Sequence, residues 1–359
     1  MSGRSLRVGV PAALLELEPT SGHGKVWHRV LAELMGAVRI LPLGRSRGAR
    51  ALGMRRTEPD VILASGHDDF PATTAPLVVE VHEAGWLTGE PRSQIAPEFL
   101  EYISSRTEHA VRAADHVITL SYASAHGLIE GYGLDPSRVH PVHPGLDSAF
   151  RGPTRGGPAL VARARDGPEL PYVLFAAVLH PRKNLAAVRE ALTTLAADGL
   201  PHALAIAGRP APDRADSTEL LREAAAELPG APGRVVMLGE PTDEELASLM
   251  SGAEAFCLPS LYEGFGLTVL EAMGCGAPVV VSDRGALPEL VGDAGIVVEP
   301  TGEAVAAALR RVLGDPALAA RLRERGKARA REFTWQRTAS GWLDVLRVAA
   351  GQPYTRARR

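Results

Sequence analysis

Residues Pro259–Pro288, PSLYEGFGLTVLEAMGCGAPVVVSDRGALP, decide how this chain is read. An apolar run ending near Leu258 reads as a buried strand, and a Gly-containing turn follows it. An apolar-periodic helix then runs from about Phe265 to Met273, and a second buried strand covers Ala277 to Val281. Gly264 and Gly266 let the backbone bend tightly and approach a ligand, and the helix N-terminus behind them offers N–H groups and partial positive charge to an anion such as phosphate. Glu263 in the turn and Glu271 two turns along the helix can address different parts of one extended ligand, both as acceptors for hydroxyl groups. Read singly, each is more often a solvated acid.

Outward from this stretch, 359 residues suggest two domains. A net charge of −3 and an aromatic content of 5% argue against nucleic acid as a partner. Cys257 and Cys275 lack paired spacing, so small buried hydrophobes are expected there rather than a disulfide or a zinc ribbon. The opening MSGRSLRVGV has no signal-like apolar run and no stretch approaches a membrane span, so a soluble, cytoplasmic protein is expected.

Strands alternate with helices along the whole chain. Strands are predicted at Arg7 to Val10, Val38 to Leu43, Val61 to Ala64, Leu77 to Val81, His116 to Leu120 and Val139 to Val142. Helices include Lys25 to Met35 and Pro97 to Ala113. A second set of strands begins at Tyr172 to Val178 and continues through Ala203 to Ala207, Val235 to Leu238, Glu254 to Leu258, Ala277 to Val281 and Ile296 to Val298. Such alternation implies two mostly parallel, doubly wound sheets, with ligands at the carboxyl ends of their strands. The expected domains are 1–150, a Gly/Pro/Arg-rich linker at 151–171, 172–333, a returning helix at 334–350 and a basic tail at 351–359.

The spacing EGFG…LEAM, followed by GAPVV and LPE, resembles the signature of the family-4 retaining glycosyltransferases of the GT-B fold (glycosyl transferases group 1). The resemblance implies two Rossmann-like domains facing a central cleft, the last helix crossing back to the first domain. By it, Glu263 holds hydroxyls of the donor sugar, Glu271 holds the ribose, and backbone amides around Phe265, Gly266, Leu267 and Thr268 hold the distal phosphate, with Gly264 also at the donor. Leu179-His180-Pro181-Arg182-Lys183-Asn184 resembles the family's L-E-P-R-K-N, implying that Arg182 and Lys183 neutralise the leaving diphosphate. Gly22-His23-Gly24-Lys25 resembles its Gly-x-Gly-Arg loop, which places Gly22, Gly24 and Lys25 at the donor phosphates. His82, where members carry His-Asp, is implied to sit near the transferred sugar and the acceptor. Thr242 to Leu246, also explained by a simple capping box, resembles the segment bordering the base. Ala177-Val178 for the usual Gly-Thr, and His180 for Glu, depart from the pattern.

The expectation is therefore a retaining, metal-independent hexosyl transfer from a nucleotide-diphosphate sugar to an acceptor hydroxyl on a glycan, a lipid-linked or a small-molecule acceptor. Mannosyl leads among hexosyl groups, and a GDP-sugar stands ahead of a UDP-sugar. No cofactor is expected. The alternatives are a sugar-nucleotide epimerase and a non-catalytic sugar-nucleotide-binding protein of the same fold. His67-Asp68-Asp69, and His140 with His143, are rival metal motifs that lack a full ligand set, so no metal is expected. Arg39, Arg45, Arg47, Arg50, Arg55 and Arg56 occur without an intervening acid. A solvated loop is the commoner account of such a run, and peripheral contact with the inner face of an anionic membrane is the alternative.

Overall fold

The computed structural model describes residues 5–18, 21–44, 58–66, 74–88, 97–210 and 216–352. It separates into two compact units, one from Met1–Gly145 with Thr334–Arg359 and the other from Leu146–Phe333.

In the first unit the strands are Leu6–Pro11 (β1), Val38–Leu43 (β2), Val61–Ser65 (β3), Leu77–Val81 (β4), His116–Thr119 (β5) and Val139–Pro141 (β6). They form a parallel sheet in the order β2-β1-β3-β4-β5-β6. β3 and β4 are buried along their whole length, as strands covered on both faces by helices must be. Ile62 of β3, Val79 and Val81 of β4 and Val117 of β5 share one core cluster with Leu128. The helix Trp335–Ala349 belongs to this unit and lies against the helix Gly22–Leu34. Trp342 and Trp27, both fully buried, meet edge to face with ring centroids 5.4 Å apart. The entry to this helix is tight. A Cβ on Gly145 would lie 2.2 Å from the Trp335 amide nitrogen, so only glycine fits there.

In the second unit the strands are Tyr172–Ala176 (β7), Ala203–Ala207 (β8), Val235–Met237 (β9), Ala255–Leu258 (β10), Val279–Ser282 (β11) and Ile296–Val298 (β12). Their parallel order is β12-β11-β10-β7-β8-β9. The chain winds outward from β7 through β9, then returns to place β10 on the other side of β7. The β7/β10 pair is thus a topological switch point, where the connections leave in opposite directions and open a crevice at the carboxyl ends of the strands.

Three expectations need correction. Residues 151–171 are not a linker: Gly157–Ala164 is a helix started by Pro158 in its first turn, and the segment belongs to the second unit. Gly157 lies so close to the Ser248 carbonyl that a Cβ would come within 2.3 Å of it. The helix expected from Phe265 begins at Leu267 and ends at Cys275, because Gly266 has φ +101°, outside helical geometry. Gly266, not Gly264, is the left-handed residue of that turn. The strand expected from Ala277 begins at Val279, since the Ala277 amide instead closes the helix on the Ala272 carbonyl at 2.9 Å.

Candidate functional site

The second unit gathers its charged motif residues at the switch point. Arg182 and Lys183 lie in the short 3-10 turn Pro181–Lys183 after β7, and Ser260 and Glu263 lie in the loop after β10. Adjacency of β7 and β10 in the sheet brings these segments together across some eighty residues of sequence. Lys183 Nζ donates to Glu263 Oε1 at 2.7 Å and Oε2 at 2.9 Å, and the Ser260 hydroxyl donates to Oε1 at 2.6 Å. Arg182 Nη1 donates to the Tyr262 carbonyl at 2.8 Å and reaches Glu263 Oε2 at 3.5 Å. Burial pushes the Glu263 carboxyl up. The charges of Lys183 and Arg182, with hydrogen bonds from Lys183 and Ser260, outweigh it and hold the group below its usual range. Glu263 is therefore an ionised carboxylate, 6% exposed, fixed by two cations and a hydroxyl.

The backbone around this cluster is equally constrained. His180 Nδ1 accepts from the Arg182 amide at 3.0 Å, so this departure from the family pattern caps the turn that carries the cations. Asn184 has φ +56°, and its side-chain amide donates to the carbonyls of Pro259 at 3.1 Å and Pro300 at 2.9 Å, tying the ends of three segments. A Cβ on Gly285 would lie 2.4 Å from the Glu263 carbonyl oxygen, and the Ala286 amide donates to that carbonyl at 3.0 Å. Near Ala177, where the family glycine is missing, the close approach is made by Gly208: its φ is +136° and a Cβ would lie 1.9 Å from the Ala177 carbonyl oxygen.

The helix Leu267–Cys275 starts four residues after Glu263, and the first-turn amides of Leu267 and Thr268 have no acceptor within the helix. Free amides at a helix start suit an anion; the Phe265 amide, one residue before the left-handed Gly266, precedes the helix. Glu271, buried at 5% exposure, sits just over one turn from the helix start rather than two. Cys257 and Cys275 are buried free thiols, Cys275 pushed by burial up to about 12, so neither is a nucleophile at neutral pH. Thr242 and Glu245 form a complete capping box, which accounts for both residues structurally.

In the first unit, Gly22 opens the helix Gly22–Leu34 with Ser21 as its cap, accepting from the Gly24 amide at 2.9 Å. Gly24 is required sterically, since a Cβ would lie 1.9 Å from the Glu18 carbonyl oxygen. Lys25 is half-buried in the first turn of the same helix. His82 follows β4, as the sequence placed it, and beside it stand two residues that the sequence reading passed over. Glu80 Oε2 lies 3.3 Å from His23 Nε2 and accepts from Trp27 Nε1 at 3.0 Å; Glu80 Oε1 lies 3.5 Å from His82 Nδ1. Burial pushes Glu80 up, but its contacts with His23 and then His82 outweigh this and hold it well below the usual range. The overlooked signal is an acid inside the apolar strand LVVEV, which must meet partners once buried.

His140 pairs with His116 at 3.0 Å, while His143 meets Tyr122 edge to face. His67, Asp68, Asp69 and all of the arginine run except Arg39 lie outside the described residues. No helix among the described residues is long and apolar enough to cross a membrane.

Two family models match the chain: Glycosyl transferases group 1 over residues 163–329, and Glycosyltransferase Family 4 over residues 18–150. A D-inositol 3-phosphate glycosyltransferase from Salinispora tropica is 33% identical over 301 residues, which cover 79% of this chain and 60% of that protein. An MMP alpha-(1->4)-mannosyltransferase from Mycolicibacterium hassiacum is 30% identical over 325 residues, covering 84% of this chain and 74% of the relative. A sucrose-phosphate synthase from Thermosynechococcus elongatus shares the fold with a TM-score of 0.75 at 20% identity, over 96% of this chain and 99% of the other.

Proposed function

The chain belongs to the glycosyl transferases of group 1, with the GT-B fold, and from that premise we propose that it moves a hexosyl group from a nucleotide-diphosphate sugar to an acceptor hydroxyl with retention and without a metal. Mannosyl is the favoured group, in keeping with mannosyltransferases among its relatives, and a GDP-sugar is the favoured donor.

The observation that carries the reading is the Arg182–Lys183–Glu263 cluster at the β7/β10 switch point. Two cations face one carboxylate and leave net positive charge where a departing diphosphate gains negative charge. The Leu267 helix end, in the same loop as Glu263, adds oriented amides. Such fixed groups need no reorganisation as the charge develops. In the proposed step the bond from the anomeric carbon to the phosphate oxygen breaks, the acceptor oxygen bonds to the same face, and the acceptor's proton passes to the departing phosphate. No protein nucleophile is required. That fits Glu263, whose oxygens are held by Lys183, Ser260 and Arg182 and which serves better as an acceptor for sugar hydroxyls. Glu271 is assigned to the ribose. In the first unit, His82 is assigned a hydrogen bond to the reacting sugar or acceptor, and Gly22, Gly24 and Lys25 a role towards phosphate.

Calorimetric titration with GDP, UDP, ADP, TDP and their sugar conjugates tests this reading. Selective binding of one nucleotide, weakened at least about tenfold by Glu271→Ala (about 1.4 kcal/mol), is expected. Equal binding by the variant would overturn the ribose assignment, and transfer giving an inverted product would overturn the mechanism.

A further inference from the structure

We propose that His23, Glu80 and His82 form a binding site for a divalent transition metal ion, with zinc the best match. These residues each offer a ligand atom, and all three atoms lie within 4.8 Å of one another. Two imidazole nitrogens and a carboxylate are a donor set that suits zinc. The contacts have the right scale, one through each carboxylate oxygen: Glu80 Oε2 lies 3.3 Å from His23 Nε2, and Glu80 Oε1 lies 3.5 Å from His82 Nδ1. Ligands at the usual zinc distances of about 2.0–2.1 Å, arranged tetrahedrally, stand about 3.3–3.4 Å apart.

The cluster is also incomplete as a hydrogen-bonded network. Glu80 is fully buried, yet its Oε1 has no hydrogen-bond partner among the described residues, nor has His82 Nδ1. Their 3.5 Å separation brings them together without satisfying either. Two buried polar atoms that face each other and lack a hydrogen bond are costly unless a third body joins them, and a cation between them would satisfy both. Trp27 Nε1 donates to Glu80 Oε2 at 3.0 Å and holds the carboxylate in place, as the outer partners of metal ligands do. The imidazoles are about a quarter exposed, at 26% and 23%, so an ion can enter from solvent and retain an open position.

The ion would not serve the proposed transfer. It would occupy the His82 nitrogen nearest Glu80 and change what that ring can offer a sugar hydroxyl. This consequence alone rests on the functional reading above; the metal site does not.

Zinc titration of the full-length, untagged, chelator-treated protein by calorimetry is the test, with Co²⁺ absorption reporting coordination geometry. The expected result is one equivalent per chain with the intense visible bands of four-coordinate Co²⁺. Binding should be at least about tenfold weaker in His23→Ala and in Glu80→Gln and unchanged in His140→Ala, which probes the separate His116–His140 pair. Absence of saturable binding up to about 1 mM zinc would overturn the proposal. So would binding that survives His23→Ala, or that His140→Ala removes. If Glu80→Gln fails to fold, His23→Ala decides alone. None of these readouts depends on transfer activity.

Discussion

Replacing Lys183 with Met is expected to remove about 3 kcal/mol of stability from the second unit. The ammonium touches both Glu263 oxygens, at 2.7 and 2.9 Å, with the two side chains only 15% and 8% exposed. Without it the carboxylate keeps its charge and remains shielded from water. Removing one partner of a buried pair costs about 3–5 kcal/mol. Arg182 at 3.5 Å and the Ser260 hydroxyl at 2.6 Å remain, which places the loss at the lower end. For a unit of this size each kcal/mol lowers the melting temperature by about 2–4 °C, so a calorimetric scan at pH 7 should show a fall of about 6–12 °C. Adding Glu263→Gln removes the stranded charge and should recover at least about 1 kcal/mol of the loss. The sign with pH is set by Glu263, whose carboxyl is lowered in the folded state. Its stabilisation is complete above the ordinary value of 4.5 and is lost as pH falls through the depressed folded value, so the gap between wild type and variant should narrow in acid. A melting temperature within about 2 °C of wild type, a double variant no more stable than the single one, or a gap that widens in acid would refute this account of the cluster.

Gly285→Ala, at φ +57° with its new Cβ 2.4 Å from the Glu263 carbonyl oxygen, should lose at least about 1–3 kcal/mol and weaken nucleotide-sugar binding; a thermal scan and a donor titration measure both effects. Asn184→Gly keeps the left-handed backbone but drops two hydrogen bonds, costing about 1–3 kcal/mol. Asn184→Ala adds a further cost of about 1–2 kcal/mol for that backbone, and the opposite order in chemical denaturation would contradict the assignment. Trp342→Ala should destabilise the first unit by about 3–5 kcal/mol through the cavity left against Trp27, read from the melting of that unit by calorimetry.

The sheets were legible because parallel strands buried on both faces are written as continuous apolar runs; Leu77–Val81 and Ala203–Ala207 were placed to the residue. Elements whose ends depend on backbone sign were not. The start of the helix at Leu267 follows from the left-handed Gly266, and glycine's presence does not announce which of two neighbouring glycines turns. Gly157–Ala164 read as a linker because GGPA is also a turn signal, although proline at a first helical turn was the available clue. Arg182, Lys183 and Glu263 were recognisable as motifs. Their mutual contact was not, because it depends on β10 returning beside β7. The acid in the apolar strand LVVEV signalled that Glu80 must find partners, but which ones, His23 among them, follows only from β4 and the helix Gly22–Leu34 being brought within reach.

The first unit is built from two pieces of sequence, and this has a consequence for its birth on the ribosome. Gly145 emerges some 190 residues before the helix at Trp335 that lies against Trp27. At about 5–20 residues per second this is a delay on the order of 10–40 s. Throughout that interval the nascent sheet carries an apolar face whose cover has not yet been made, while the second unit, continuous from Leu146 to Phe333, can fold as it appears. The later half of the chain would therefore be the first to reach its native state, and the amino-terminal half would wait for the last helix, exposed in the meantime to chaperones.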